Sequence, residues 1–261
     1  MSVDSRPVPR WTPWHRETAP DDHRIRVYCF PHAGGSASLY RPMSEKNPYD
    51  WFELVPVELP GRGVRRREAP VARMPELVEE FLRFLAGRPE TERYALYGHS
   101  LGAAVAYEVA CRAGARPPLA LLVSGAAAPG HGDPIDLHLL PDRELMVRLA
   151  ELGGTPAELL AEPDLMEAAL PVLRADLSLY ATNAPVVEPG ALRCPVLALG
   201  AEDDRMVSPE AVASWSTTTT ADFAHRIVPG DHFFVLADER LVPTALAELL
   251  APWADPTAGR A

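Results

Sequence analysis

The stretch Tyr94-Ala95-Leu96-Tyr97-Gly98-His99-Ser100-Leu101-Gly102-Ala103-Ala104-Val105-Ala106 constrains the fold of this chain more than any other. A short β-prone run leads into Gly-x-Ser-x-Gly, and an Ala-rich helical run follows. That succession is the strand–turn–helix context of a nucleophile elbow. In such a turn Ser100 stands above the end of a parallel sheet with its hydroxyl exposed. Gly98 and Gly102 are then steric requirements, because the residues two before and two after the serine pack so close to each other that a Cβ would clash. The first N–H groups of the helix, that of Leu101 above all, lie beside the serine, where negative charge is stabilised.

The chain around this motif has 261 residues, enough for one large α/β domain with an ample core. Hydrophobic residues make up 47% and charged residues 23%, the proportions of an ordinary globular protein. No run approaches the roughly 18 apolar residues of a membrane span. Met1 to Asp22 is polar and lacks an apolar signal core, so a cytoplasmic protein without membrane partners is expected. The net charge of −11 argues against nucleic acid as a partner. Cys29, Cys111 and Cys194 are widely spaced and show no metal-ligand pattern. They read as free, mostly buried thiols, and neither a metal nor another cofactor is expected.

Residues 1–22 read as a loosely held arm that Trp11 and Trp14 pin to the body. Residues 23–253 read as a single domain and 254–261 as a tail. Ile25-Arg26-Val27-Tyr28-Cys29-Phe30 is a strand by β-propensity. It runs into the small-residue loop Pro31-His32-Ala33-Gly34-Gly35-Ser36-Ala37, which lacks both GxGxxG and Gly-Lys-Ser/Thr. After an early strand, such a loop can supply an oxyanion-hole N–H. Ala33 is assigned that N–H, with Gly34 as the alternate. His32 precedes the serine and reads as a structural hydrogen-bonding group. Phe52–Leu59 is the next strand, with Pro56 marking an irregularity or an edge. The basic run Arg62, Arg65, Arg66 and Arg67 reads as a solvated loop, with a contact for an acidic partner as the alternative. Pro75–Arg88 reads as an amphipathic helix.

Leu119–Ser124 and Pro195–Leu199 are apolar runs expected of buried parallel strands, and His225–Val228 is a shorter strand. Helices are expected at Pro209–Thr217 and Glu239–Trp253. Between Gly125 and Pro185 no strand is evident, and helices are expected at Pro141–Leu152, Pro156–Ala161 and Pro163–Tyr180. This insert, at about 125–185, reads as a helical lid over a cleft. Helices packed flat on the sheet are the alternative. Strands alternating with helices imply a mostly parallel central sheet flanked by helices.

In a parallel sheet the loops after strand C-termini share one rim. Ser100, Asp203-Asp204 and His232 fall on such loops in the order Ser…Asp…His, the order of α/β-hydrolases. A serine hydroxyl needs a base, and the base needs an acid that orients it. His232 is the base, because His131 and His138 lie in the insert and His225 lies inside a strand. Asp204 is preferred to Asp203, since Asp204-Arg205-Met206-Val207 has the Asp-x-x-Val spacing common after a hydrolase strand. Leu101 and Ala33 would hold the oxyanion through their N–H groups, each such donor contributing ~3 kcal/mol at comparable sites.

Further segments carry a specific resemblance. Phe30-Pro31-His32-Ala33-Gly34-Gly35-Ser36-Ala37, Leu59-Pro60-Gly61-Arg62, Tyr97-Gly98-His99-Ser100-Leu101-Gly102-Ala103, Leu152-Gly153-Gly154-Thr155-Pro156, Leu170-Pro171-Val172-Leu173-Arg174-Ala175-Asp176 and Pro229-Gly230-Asp231-His232-Phe233-Phe234 occur in order over about residues 8–252. Together they resemble the type II thioesterases, the stand-alone editing enzymes of polyketide and nonribosomal peptide synthases in antibiotic biosynthesis. Asp231 departs from the pattern, where a second Gly is more usual, and it sets a carboxylate beside His232. The resemblance implies a hydrolase that clears acyl thioesters from the phosphopantetheine arm of acyl or peptidyl carrier proteins; a monomer is expected. A general carboxylesterase of the same fold and a non-catalytic interaction module are the rival readings.

Overall fold

A computed structural model describes residues 11–15, 23–131, 136–151, 163–183, 188 and 190–255. Among these the elements run β1 (Ile25–Phe30), α1 (Arg41–Glu45), β2 (Phe52–Pro56), α2 (Met74–Ala86), β3 (Tyr94–His99), α3 (Leu101–Arg112), β4 (Leu121–Ser124), α4 (Asp142–Glu151), α5 (Pro163–Ala181), β5 (Val196–Ala201), α6 (Pro209–Ala213), β6 (Phe223–Val228), α7 (Phe234–Ala237) and α8 (Leu241–Leu250). The strands form a six-stranded sheet in the order β2-β1-β3-β4-β5-β6. Every pairing is parallel. The structure is the α/β-hydrolase arrangement expected from the alternation of strands and helices.

Side-chain alternation along the strands divides the interior into two cores. Tyr28, Phe30, Leu96, Leu121 and Val123 face a core closed by Leu77, Val78 and Phe81 of α2 and Val105, Ala106 and Val109 of α3. Ile25, Val27, Cys29, Ala95, Tyr97 and Leu122 face the opposite core, closed by Met43 of α1 and Val242, Ala245 and Leu246 of α8. The inner strands are buried on both faces, which is why they read as continuous apolar runs.

The β2 strand is an edge and stops at Pro56, short of the expected Leu59. Val57 N still donates to Cys29 O at 2.9 Å, so the chain leaves the sheet gradually. Trp11 is buried edge-on to Phe81 at 5.1 Å, and its carbonyl accepts from Glu58 N. Trp14 is instead exposed, with the Arg41 guanidinium over its ring. Only the first tryptophan is packed into the body.

Two of the four arginines of the basic run depart from both expectations stated for it. Arg62 and Arg65 are buried, so neither a solvated loop nor a docking surface describes them. Arg65 pairs with Glu68 and Glu80 and lies 4.3 Å over the Trp11 ring. Arg66 and Arg67 remain exposed. The local sequence does not reveal the difference, because Asp176 and Glu80, which pair with the two buried arginines, lie elsewhere in the chain.

Among the described residues no strand interrupts the stretch between β4 and β5. It holds a 3-10 turn at Leu137–Leu139, then α4 and α5. Leu137, Leu145, Leu149, Leu170 and Leu173 make an apolar cluster of their own, which meets the body through Ala33. Leu179, near the end of α5, joins the α2–α3 core. Gly153-Gly154 and the expected helix Pro156–Ala161 lie outside the described residues. No helix among the described residues is long and apolar enough to cross a membrane.

Candidate active site

Ser100 links β3 to α3 with φ 55° and ψ −119°, and among the described residues it is the only non-glycine with positive φ. A strained conformation of this kind persists only where its surroundings enforce it. Ser100 N donates to Ser124 O at 2.8 Å, tying the turn to β4. A Cβ on Gly98 would lie 2.0 Å from Gly102 O, and one on Gly102 would lie 2.1 Å from Phe30 O. The first contact is the mutual approach expected of the two glycines. The second is against the end of β1, so β1 and the elbow are locked together across the sheet.

His232 follows β6 and Asp204 follows β5. His232 Nδ1 is 2.9 Å from Asp204 Oδ2, and both side chains are buried. The other carboxylate oxygen, Oδ1, accepts from Met206 N at 2.8 Å and Val207 N at 3.2 Å. The carboxylate is thus oriented from both sides. With a proton on Nδ1 directed at Asp204, the ring offers Nε2 as a proton acceptor. Asp203 is exposed, and its own amide donates to Gly230 O. Asp231 is also exposed, and its Oδ1 accepts from Phe233 N at 2.9 Å, so that carboxylate caps the turn.

Ser100 and His232 line one cavity of about 200 Å³, together with Leu101 and Ala33. Of the two loop amides considered for the oxyanion, that of Gly34 donates to Asp176 Oδ2 at 2.7 Å, and Ala33 is the residue that lines the cavity. The remaining wall is largely apolar, with Leu137, Leu149, Leu173, Leu177 and Tyr180 from the helical insert and Met206 and Val207 opposite. Such a cavity accepts an apolar group while a few polar atoms converge at one end.

Two further histidines pack beside His232. His99 is buried, with Nδ1 2.9 Å from Ser124 Oγ, which lies 3.1 Å from Tyr97 Oη. His32 is edge-on to Phe233 at 5.0 Å and to His99 at 6.0 Å. Burial pushes the His99 pKa well below its ordinary value. Burial, then the neighbouring charges of His232 and Arg62, push His32 down to about 3. Both rings are therefore neutral at working pH. The buried Nδ1 of His32 has no partner among the described residues, and its ring packs against Phe233 and His99.

Sequence reasoning missed the part of Asp176 and Arg62 in this site. Asp176 is buried, lines the cavity and binds Arg62 through both oxygens at 2.7 Å. The two residues are far apart in the chain and share no periodic pattern. Their only sequence signal is membership of two of the six resembling segments. Cys29, Cys111 and Cys194 are free thiols. Burial raises all three pKa values, those of Cys111 and Cys194 to about 11, so none is a thiolate nucleophile near neutral pH.

Comparison with known proteins identifies the family. A thioesterase domain model matches residues 25–253. Thioesterase PikA5 of Streptomyces venezuelae is 36% identical over 228 residues, 85% of this chain and 80% of the relative. The gramicidin S biosynthesis protein GrsT of Aneurinibacillus migulanus is 34% identical over 224 residues, 81% of this chain and 83% of the relative. Among solved structures, the type II thioesterase BorB from the borrelidin biosynthetic cluster superposes with a TM-score of 0.80 at 34% identity, covering 90% of this chain and 95% of that one. The RedJ thioesterase from the prodiginine pathway of Streptomyces coelicolor superposes with a TM-score of 0.79 at 38% identity, covering 92% and 98%. With a domain match over nearly the whole described sheet and relatives above 30% identity across most of their length, this chain belongs to the thioesterase family.

Proposed function

We propose that this chain hydrolyses acyl thioesters on the phosphopantetheine arm of acyl or peptidyl carrier proteins, clearing stalled or aberrant acyl groups through an acyl-serine intermediate. The observation that carries the reading is that His232, paired with the buried Asp204 side chain, lines one largely apolar cavity together with Ser100. In this mechanism Ser100 Oγ attacks the thioester carbonyl as His232 takes its proton. Asp204 holds the imidazole tautomer and stabilises the imidazolium. The N–H groups of Ala33 and Leu101 bind the tetrahedral oxyanion. The C–S bond then breaks, and the carrier thiolate leaves with the proton from His232. Thiols have pKa values of about 8.5 and leave more readily than alkoxides. Water, deprotonated by His232, releases the acid and restores Ser100.

Three observations support a carrier-borne substrate. The relatives named above belong to biosynthetic systems of this type, BorB by its cluster and GrsT by gramicidin S biosynthesis. The cavity wall supplied by the insert is apolar, which suits an acyl chain. Arg66 and Arg67 are the members of the basic run left exposed for an acidic carrier in a chain of net charge −11. On this reading the enzyme acts as a monomer in the cytoplasm.

The test is a hydrolysis panel of acyl groups on a carrier protein, run beside matched oxygen esters with Ser100→Ala as blank. Thioesters are expected to turn over with kcat/KM above that of the matched oxygen esters, and Ser100→Ala is expected to abolish turnover. Hydrolysis of oxygen esters alone would make the protein a general esterase. No turnover combined with failure of a fluorophosphonate to label Ser100 would remove the hydrolase reading altogether.

A further inference from the structure

Asp176 lies in α5, away from the His232–Asp204 pair, yet it is 1% exposed and accepts three hydrogen bonds. Arg62 Nη1 donates to its Oδ2 and Arg62 Nη2 to its Oδ1, each at 2.7 Å, and Gly34 N donates to Oδ2 at 2.7 Å. Arg62 Nη1 also donates to Gly35 O at 3.0 Å. The two side chains thus grip the loop after β1 from both ends of one short stretch, Asp176 by an amide and Arg62 by a carbonyl. The turn that delivers Arg62 is itself constrained. Gly63 has φ +48°, and a Cβ there would lie 1.9 Å from Glu58 Oε2. Glu58 in turn accepts from Ala37 N at the far end of the same loop.

A pair this buried differs from a surface ion pair. Removing one partner leaves an uncompensated charge in a site with little water. The loop it holds contains Ala33, whose N–H must sit within about 3 Å of the developing oxyanion to be effective. Misplacing a catalytic group by about 1 Å can cost ~10²-fold in rate. The helix that bears Asp176 is also tied down elsewhere. Asn183 Nδ2, just beyond its end, donates to the buried Glu108 of α3 at 3.1 Å.

We propose that Asp176 is a positioning residue that, through Arg62 and the Gly34 amide, sets the oxyanion loop, so that α5 must be seated on the body for Ala33 to act. The α5 side of the insert is then a fixed buttress and not a part that swings away to admit substrate. This rests on the acyl-serine reading above.

The experiment compares Asp176→Ala, Asp176→Asn and Arg62→Lys with the intact chain on a short acyl thioester, and follows deuterium exchange of the 31–36 backbone amides. Asp176→Ala is expected to lower kcat about 10²-fold while KM changes less than about threefold. Asp176→Asn, which keeps an oxygen for Gly34 but loses the charge, and Arg62→Lys, which loses the fork, are expected to fall between. Exchange at Gly34 accelerates in Asp176→Ala. An unchanged kcat in folded variants would overturn the proposal, as would unchanged exchange at Gly34. If Asp176→Ala does not fold, the two milder variants decide by the same readouts. An intact chain inactive on every thioester would count against the hydrolase reading, and Gly34 exchange would still decide whether the clamp exists.

Discussion

At the scale of single residues, Asp203 and Asp204 are chemically identical and one peptide bond apart, yet they have opposite surroundings. Asp204 is buried between His232 and the amides of Met206 and Val207, whereas Asp203 faces solvent. Asp204→Asn keeps the shape but removes the charge that favours an imidazolium and permits the wrong ring tautomer. It is expected to lower kcat by about 10⁴, with Asp203→Asn within about threefold of the intact enzyme. Steady-state kinetics on one acyl thioester compares them directly. Equal losses in the two variants would place the charge requirement elsewhere.

Among elements, the pair α4 and α5 lines much of the cavity. Leu149 projects from α4 and Leu173 and Leu177 from α5 into the same space as Ser100. Leu177 is half-buried, so a larger side chain there intrudes on the cavity more than on a packed core. Leu177→Trp is expected to lower kcat/KM for a medium-length acyl thioester about tenfold relative to acetyl, a scale set by the 1–3 kcal/mol that each methylene contributes in an apolar pocket. The check is the ratio of the two substrates, which is insensitive to a general loss of activity. The clamp at Asp176 acts on the same helix but on the opposite requirement, the position of the oxyanion loop.

For the molecule as a whole, the buried neutral histidines link stability to pH. The His32 pKa is lowered from 6.5 to about 3 in the folded protein, and that of His99 is lowered in the same direction. Between pH 6.5 and about 3 the unfolded chain therefore binds a proton at His32 that the folded protein does not. Stability is full above that window and falls as pH drops through it. Tm is expected to decline as pH is lowered from 7 to 4, and His32→Leu to flatten that decline. Scanning calorimetry across the range measures both. A slope unchanged by the substitution would mean that other groups carry the linkage.

Much of this molecule is legible in its amino-acid sequence. The β1 strand reads residue for residue as Ile25–Phe30, and the elbow strand and helix stand where Gly98, Ser100 and Gly102 require them. These features are local: apolar periodicity selects strand or helix, and a turn with no room for a Cβ selects glycine. Chain order likewise carries the reading of Ser100, an aspartate and His232, because a parallel sheet brings strand ends to one rim.

Other features depend on which distant groups meet. Arg62 and Arg65 have the sequence of a solvated run, and the remote Asp176, Glu80 and Trp11 ring meet them in the interior. Asp203 and Asp204 differ by a single step along the backbone after β5, and which one reaches His232 is a matter of angle and not of composition. Gly34 loses its amide to a helix 142 residues away. The sequence by itself determined most of the elements and the order of the proposed reacting groups, because those follow from propensity and sterics along the chain. Only the tertiary structure decided the partners of buried charges, because the cost of burying a charge is relieved by whichever group folding brings within reach.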